Sequence, residues 1–304
     1  MFMPQLGNQH TLRLKRISWF LVAICASIVL SACSVTQTVS QVSDTRAIQD
    51  DFDAASRLQT NMFAIDRANE AISSQTNTAQ IMQANRGLML YQRVINGVNS
   101  LESQKAELIQ NGLWANLQTL KAMSQWQIGN KEDALITANL AIKEAQDLQG
   151  RDMVLLNAIP SLVANDEAFE MLEDLKISGN KDENAFKIWQ RATALYEKAE
   201  NELSVIIDNV AHPQLQFYLQ LSRLMVVKNW EESFDLDLCI TDSCEDIRMA
   251  KNEQSKVYFE DLLLSRYKAT GSCDAVMNSS FYQFWSLKIG TFNSSKGTFK
   301  KVCP

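Results

Sequence analysis

Proline and glycine are scarce in this sequence. Its 304 residues include only 4 prolines and 10 glycines, whereas a protein built from many short strands needs frequent turns, which these two residues favour. Residues of high helix propensity, such as alanine, leucine, glutamine, glutamate and lysine, are plentiful. The composition therefore predicts an all-α protein.

Histidine is rarer still, because His10 and His212 are the only two in the chain. A serine or cysteine nucleophile needs a neighbouring base, and His212 precedes Pro213 at a predicted helix boundary, where a structural role is commoner. No Cys-x2-Cys pair offers the usual ligand spacing of zinc, and no glycine-rich phosphate loop is present. We therefore expect no catalytic residue, no metal and no cofactor.

The sequence has one long apolar run, and it lies near the amino terminus. Arg13, Lys15 and Arg16 precede an apolar stretch from Ile17 to Leu30, with no acidic residue before it. A basic segment followed by a short apolar segment is typical of an export signal. The 16 residues 17–32 would span roughly 24 Å as a helix, which is short for a stable membrane crossing. These features predict a cleaved signal peptide over residues 1–32.

The apolar run ends in Leu30-Ser31-Ala32-Cys33, which resembles the lipobox of bacterial lipoproteins at all four positions. The resemblance implies that Cys33 receives a diacylglycerol and becomes the acylated amino terminus, anchoring the chain firmly to a membrane. Ser34, where an aspartate would retain the protein at the inner membrane, implies sorting to the outer membrane, facing the periplasm. The alternative is an ordinary secretory signal.

Residues 33–44 are rich in Ser, Thr, Gln and Val and predict a flexible tether.

Positive charge is in deficit. The whole chain has 29 Lys and Arg against 35 Asp and Glu, a net charge of −6. The leader contains three of the basic residues, so the mature chain has 26 against 35 and a net charge of −9. An acidic surface repels phosphate backbones, and we therefore expect no nucleic-acid partner.

Acidic residues also occur in pairs and clusters. Hydrolases use two carboxylates, but 35 acids in a helical chain supply such pairs by default, and we expect these to lie on exposed faces: Asp50-Asp51, Glu173-Asp174 and Glu231-Glu232. The acidic segment 235–246 lacks the central glycine of a helix–loop–helix calcium site. It predicts a solvated loop held by a disulfide.

Four cysteines follow the lipobox, and all lie in the last third of the chain. An even number in an exported domain indicates two disulfides, and three pairings are possible. We favour Cys239–Cys244, since five residues close a turn through Thr241-Asp242-Ser243. The second pair is then Cys273–Cys303, which would close a loop of about 30 residues and contribute roughly 3–4 kcal/mol in the chain-entropy model.

Apolar residues recur at helical spacing through most of the mature chain, beginning with a predicted helix over 45–75. Residues 214–232 are apolar on most sides and predict a helix central to the packing. The turn Gly129-Asn130 joins two predicted helices, 113–128 and 131–148, into a hairpin. This hairpin resembles a tetratricopeptide repeat in its segment 129–135 and in its small residues at the positions where the family has them, which are Ala122, Ala134 and Ala141. Gln118 and Gln125 stand where that family usually has aromatic residues. The resemblance implies stacked antiparallel hairpins, as a superhelix or bundle, and the cysteines predict a disulfide-stapled C-terminal part.

Prolines and composition suggest the remaining boundaries. Pro160 predicts the end of a helix over 152–159, before a short helix over 166–177, and Pro213 predicts the start of another helix. A further helix is expected over 275–288, and residues 298–302 predict an extended segment. We assign residues 45–234 to a helical repeat-like domain and residues 235–304 to a cysteine-containing helical region.

The tryptophans on helices, and the aromatic cluster Phe281, Tyr282, Phe284 and Trp285 in the tail, are expected to pack in the interior.

Taken together, the sequence features favour a membrane-anchored envelope lipoprotein that binds a protein or peptide without catalysis. A small-ligand-binding accessory protein of an envelope transport system is the alternative, and a cell-wall-acting enzyme is the third hypothesis. No partner-binding residue can be named from the sequence.

Overall fold

Helices are the only regular elements of the residues that the structure describes. The structure is a computed structural model, and it describes residues 43–56, 58, 76–144, 151–210, 213–289 and 298–303. The all-α fold class is therefore confirmed. The α-helices are α1 (43–56), α2 (Thr76–Ser100), α3 (Lys105–Gln110), α4 (Trp114–Gln127), α5 (Lys131–Glu144), α6 (Arg151–Ser178), α7 (Glu183–Asp208), α8 (Pro213–Glu232), α9 (Cys244–Thr270), α10 (Cys273–Met277), α11 (Ser280–Lys288) and α12 (Thr298–Val302).

The chain divides into two compact units between Ile159 and Pro160. In the first unit α2 packs on α4, and α4 packs on α5. In the second unit α8 packs on both α7 and α9, and α9 also contacts α10 and α12. The boundary predicted from the sequence, between residues 234 and 235, falls within the second of these units, where α8 and α9 pack on each other.

Helix α1 packs closely on α2 in the first unit. Ile48 and Phe52 are 6% and 2% exposed, and the rings of Phe52 and Tyr91 meet edge to face at 5.7 Å. Gly97 makes this approach possible, because a Cβ atom there would lie only 2.8 Å from Ile48 Cγ1. The predicted helix over 45–75 is thus seen as far as residue 56, and most of its remainder lies outside the described residues.

The predicted hairpin is formed by α4 and α5. Gly129 has a φ of 86°, which favours glycine at this turn. Small side chains of α5, at Ala134, Ala138 and Ala141, are buried and let α4 approach closely. Gln118 and Gln125 are also buried, so α4 contributes polar side chains to an interior where the tetratricopeptide pattern has aromatic ones.

Pro160 does not end a helix, and this prediction is wrong. Residues 151–178 form the single helix α6, with Pro160 inside it. A proline lacks the amide that would bond to Leu156, but the neighbouring Ile159 and Leu162 are 0% and 2% exposed. Their burial stabilises the helix through tertiary packing, which outweighs the missing hydrogen bond.

The expected extended segment 298–302 is helix α12, so this prediction is also wrong. The Phe299 amide donates to Glu260 Oε1 at 2.7 Å, which satisfies a first-turn donor, and Cys303 is tied to Cys273. The helix expected over 275–288 is divided into α10 and α11. Ser279 caps α11, because its hydroxyl accepts a hydrogen bond from the Tyr282 amide.

The predicted interior aromatics are confirmed in large part. Trp114, Trp126 and Trp189 are at most 7% exposed, and Phe281 and Trp285 are almost fully buried. Trp230 is half-buried. Among the described helices, none contains a stretch apolar enough to cross a bilayer.

Candidate functional site

Four polar or charged side chains are buried close together at the C-terminal end of α8. We call residues 228–233 (Lys-Asn-Trp-Glu-Glu-Ser) the polar hub. Lys228, Asn229, Glu231 and Ser233 are 6%, 5%, 8% and 3% exposed. Because successive helical side chains point about 100° apart, neighbouring residues of the hub reach different helices of the second unit.

One side of the polar hub binds α9. Lys228 Nζ lies 2.8 Å from Glu231 Oε2. Asn252 donates to the other carboxylate oxygen of Glu231 at 2.8 Å, and the Ser255 hydroxyl lies 3.5 Å from Oε2. A buried carboxylate needs partners of this kind to offset its lost hydration. Glu231 therefore fixes α9 against α8.

The other sides of the polar hub reach α6, α7 and α11. Asn229 donates to Asn165 Oδ1 at 3.3 Å, and the Trp189 indole donates to the Ser233 carbonyl at 3.1 Å. Lys288 of α11 donates to Glu232 Oε1 at 2.7 Å. Burial lowers the pKa of Lys288, while the Glu232 carboxylate acts in the opposite direction. The end of α8 is thus joined by polar contacts to four other helices.

A second polar cluster lies around Glu200 of α7. Its Oε1 accepts hydrogen bonds from Tyr258 at 2.6 Å, Gln254 at 3.2 Å and Ser204 at 3.3 Å. The Arg223 guanidinium of α8 lies 3.9 Å from the centre of the Tyr258 ring, a cation–π contact. Burial, and next the hydrogen bond to Glu200, raise the pKa of Tyr258.

Lys251 connects the Glu200 cluster to the polar hub. Its ammonium lies 3.7 Å from the centre of a Trp230 ring and donates to Gln254 Oε1 at 3.2 Å. Burial lowers the pKa of Lys251, although Glu200 and Glu197 counteract this. Lys251, Gln254, Tyr258 and Arg223 are all half-buried. The two clusters thus form one polar network with a partly exposed margin.

This network is suited to holding helices and presenting a surface. The Glu200 carboxylate of α7 and the Glu231 carboxylate of α8 each accept a hydrogen bond from α9, so both carboxylates make structural contacts. Charge-assisted hydrogen bonds of this kind are directional, and they set how α7, α8 and α9 align. The half-buried arginine, tyrosine and tryptophan at its margin are of residue types enriched at protein interfaces.

Both disulfides are present, with the pairing favoured from the sequence. The Cα atoms of Cys239 and Cys244 are 5.8 Å apart, and those of Cys273 and Cys303 are 5.4 Å apart. The first disulfide lies at the start of α9, and the second lies just beyond its end. Cys33, the predicted lipid attachment site, lies outside the described residues.

The acidic loop between α8 and α9 is solvated, as predicted. Asp235 pairs with Arg248 at 2.9 Å, and Asp237 pairs with Lys181 at 3.1 Å, with all four side chains well exposed. Within the described ranges, no three acidic, histidine or cysteine side chains are grouped as ligands for a metal ion.

The expectation that Glu231 and Glu232 form an exposed pair is wrong. Glu231 is buried, because Lys228 neutralises its charge and Asn252 donates a hydrogen bond to it. Glu232 is half-buried, because Lys288 neutralises its charge. The sequence does contain an indication of this burial, since these charged residues end a helix that is otherwise apolar on most sides. Their partners lie up to 56 residues away in sequence, so helical spacing alone does not identify them.

The chain was compared with protein-family models, curated proteins and solved structures, and no match was found in any of the three.

Proposed function

We propose that the protein is a lipoprotein of the bacterial cell envelope, anchored through Cys33 and facing the periplasm, that binds a protein or peptide partner without catalysing a reaction. The observation that carries the compartment is the pairing of the four cysteines that follow the lipobox in two disulfides. Such bonds persist in oxidising compartments and are rare in the cytosol. They support the export that Leu30-Ser31-Ala32-Cys33 implies.

The polar network supports a binding role over a catalytic one. A general acid or base needs a carboxyl group that can reach the reacting atoms. Glu200 and Glu231 instead bind tyrosine, amide and ammonium groups of the second unit, within a network that aligns its helices. A rigid helical scaffold is what a non-enzymatic binding protein requires.

An exposed apolar pair on α5 is the surface that we propose for the partner. Ile136 and Leu140 are 49% and 51% exposed and lie one turn apart on the same face. The opposite face packs on α4 through Ala134, Ala138 and Ala141. Single exposed apolar residues are common on proteins, but an adjacent pair on a hairpin resembling a tetratricopeptide repeat is suited to binding a peptide.

Metabolic labelling with palmitate tests the anchor. We expect the full chain to incorporate label, and Cys33→Ala to abolish incorporation and release the protein from membranes. Cys25→Ala, which changes a cysteine within the predicted leader, is the matched control and should label normally. Label that persists in Cys33→Ala would refute the anchor.

Site-specific photocrosslinking in the native envelope tests the partner surface. A photoreactive residue at position 136 or 140 should yield the same protein adduct. The same residue at Lys187, an exposed position of α7, is the control and should not. The binding proposal fails if positions 136 and 140 give no reproducible adduct, or if position 187 gives the same one.

A further inference from the structure

The two disulfides have very different surroundings. In the second disulfide, Cys303 is 4% exposed and lies beside Phe299, which is 5% exposed, whereas Cys273 is half-buried. Cys239 and Cys244 are both half-buried, and the residues between them are all exposed, with Ile240 at 77%. A reagent dissolved in water therefore reaches either sulfur of the first disulfide, but of the second it reaches only Cys273. Attack there would leave the displaced thiolate on the buried Cys303, and burial disfavours that charged form.

Opening the Cys239–Cys244 bond would leave the packing of α9 in place. The contacts that hold α9 to its neighbours lie more than one turn beyond Cys244, at Asn252 with Glu231 and at Tyr258 with Glu200. The Cys273–Cys303 bond, in contrast, retains α12 against α9. The first bond can thus open without disturbing the packed interior, whereas the second bond holds a helix of that interior in place.

The sulfur atoms of the exposed bond are also unequal. Cys244 Sγ accepts a hydrogen bond from the Thr241 amide at 3.2 Å and lies 3.3 Å from the Thr241 hydroxyl. The distance from Cys239 Sγ to the same hydroxyl is 4.0 Å. Hydrogen-bond donors stabilise a thiolate, and exchange is faster when the leaving sulfur is the better-stabilised thiolate. Cys244 is therefore the better leaving group.

We propose that Cys239–Cys244 is a site of thiol–disulfide exchange with a dithiol reductant, and that Cys273–Cys303 is structural. This goes beyond the proposed function and does not depend on the lipid anchor. Exchange releases the exposed segment 240–243 from its closed ring, so the redox state of this bond sets the conformation of a surface loop.

The exchange is balanced as follows. One thiolate of the dithiol attacks Cys239 Sγ, forming a mixed disulfide and breaking the Sγ–Sγ bond, and the bonding electron pair remains on Cys244 Sγ. The second thiolate of the reductant then attacks the reductant's first sulfur, which is bonded to Cys239 Sγ in the mixed disulfide, and displaces the Cys239 thiolate. The dithiol leaves oxidised as a cyclic disulfide, having supplied two electrons, and both cysteine thiolates take up protons.

Graded reduction of the native full-length chain tests the assignment. Dithiothreitol is added in increasing amounts, free thiols are trapped by alkylation, and each cysteine is quantified by mass spectrometry. We expect Cys239 and Cys244 to become labelled at least tenfold faster than Cys273 and Cys303, with the helical circular dichroism unchanged. Equal rates, or faster opening of Cys273–Cys303, would overturn the proposal.

Reduced glutathione, a monothiol that cannot complete the second step, tests the direction of attack. Quenching early with acid should trap glutathione on Cys239. Glutathione found mainly on Cys244 would overturn the assigned leaving group. Thr241→Val, which removes the hydroxyl but keeps the amide and the side-chain shape, should slow exchange severalfold, and an unchanged rate would exclude a role for that hydroxyl.

Discussion

Lys228 and Glu231 form an ion pair one turn apart on α8, with 2.8 Å between ammonium nitrogen and carboxylate oxygen and side chains only 7% and 10% exposed. Removing one member of a buried pair leaves the other charge without compensation, which costs about 3–5 kcal/mol. We expect Glu231→Gln to lower the free energy of unfolding by about this amount, measured by urea denaturation.

An exposed pair provides the control for that substitution. Lys187 and Glu183 have the same charges four residues apart on α7, with side chains 66% and 82% exposed. Glu183→Gln should change the free energy of unfolding little, since exposed ion pairs contribute little. The double variant Lys228→Met/Glu231→Leu should destabilise less than Glu231→Gln alone. Equal effects of Glu231→Gln and Glu183→Gln would contradict a structural role for the polar hub.

Gly97→Ala should lower stability by about 1–2 kcal/mol, the usual cost of adding a methyl group to a tightly packed contact. The added Cβ would lie 2.8 Å from Ile48 Cγ1. In an Ile48→Ala background the space is vacant, and alanine favours the helix by about 1 kcal/mol over glycine. Gly97→Ala should therefore become neutral or stabilising there. Thermal denaturation of the four proteins, including the wild type, forms the test, and simple additivity would argue against the contact.

The protein should unfold in alkaline solution together with ionisation of its buried tyrosines. Burial raises the pKa of Tyr91 and of Tyr196 above the ordinary value of 10. Below pH 10 both folded and unfolded states keep these phenols protonated, so their contribution to stability is complete. Above pH 10 the unfolded state loses its protons first, and stability falls as the pH rises.

Phenolate absorbance and circular dichroism, recorded together from pH 9 upward, test this expectation. One group of tyrosines should ionise only as the helical signal is lost. The variant Tyr91→Phe/Tyr196→Phe should lack that coupled step. If every tyrosine ionises while the helices remain intact, the burial of these two phenols is disproved.

Cys273→Ala/Cys303→Ala should release α12 and destabilise the second unit by roughly 3–4 kcal/mol, the value expected for a loop of about 30 residues in the chain-entropy model. Hydrogen exchange should show lost protection at the Phe299 amide, which donates to Glu260. Cys239→Ala/Cys244→Ala removes a bond with a sequence separation of only 5 and should cost less. A larger loss from the second double variant would contradict this ranking.

The sequence predicts most helices because their apolar residues recur every three or four positions. Helix α8 was expected to be central, and it is packed between α7 and α9. The hairpin turn at Gly129 and the boundary at Pro213 also follow from local chemistry, namely a left-handed glycine and a proline at a helix start. These features depend on residues close together in sequence.

The errors arise where distant contacts decide the structure. Pro160 lies inside a helix because buried neighbours compensate for its missing amide hydrogen bond. Residues 298–302 form a helix because Glu260 and the Cys273 disulfide hold them. The burial of Glu231 likewise depends on Asn252 and Ser255 of another helix. Local propensity does not contain this information.

The buried carboxylate of Glu231 also limits the ways in which α9 can lie on α8. Apolar surfaces tolerate sliding, since one leucine or valine contact replaces another at small cost. Sliding α9 by a turn would carry Asn252 and Ser255 about 5.4 Å along the helix axis and strand the carboxylate with Lys228 alone. A few polar atoms thus make one alignment of the two helices far more stable than its neighbours, so that the first turns of α9 have a defined position in every copy of the folded chain.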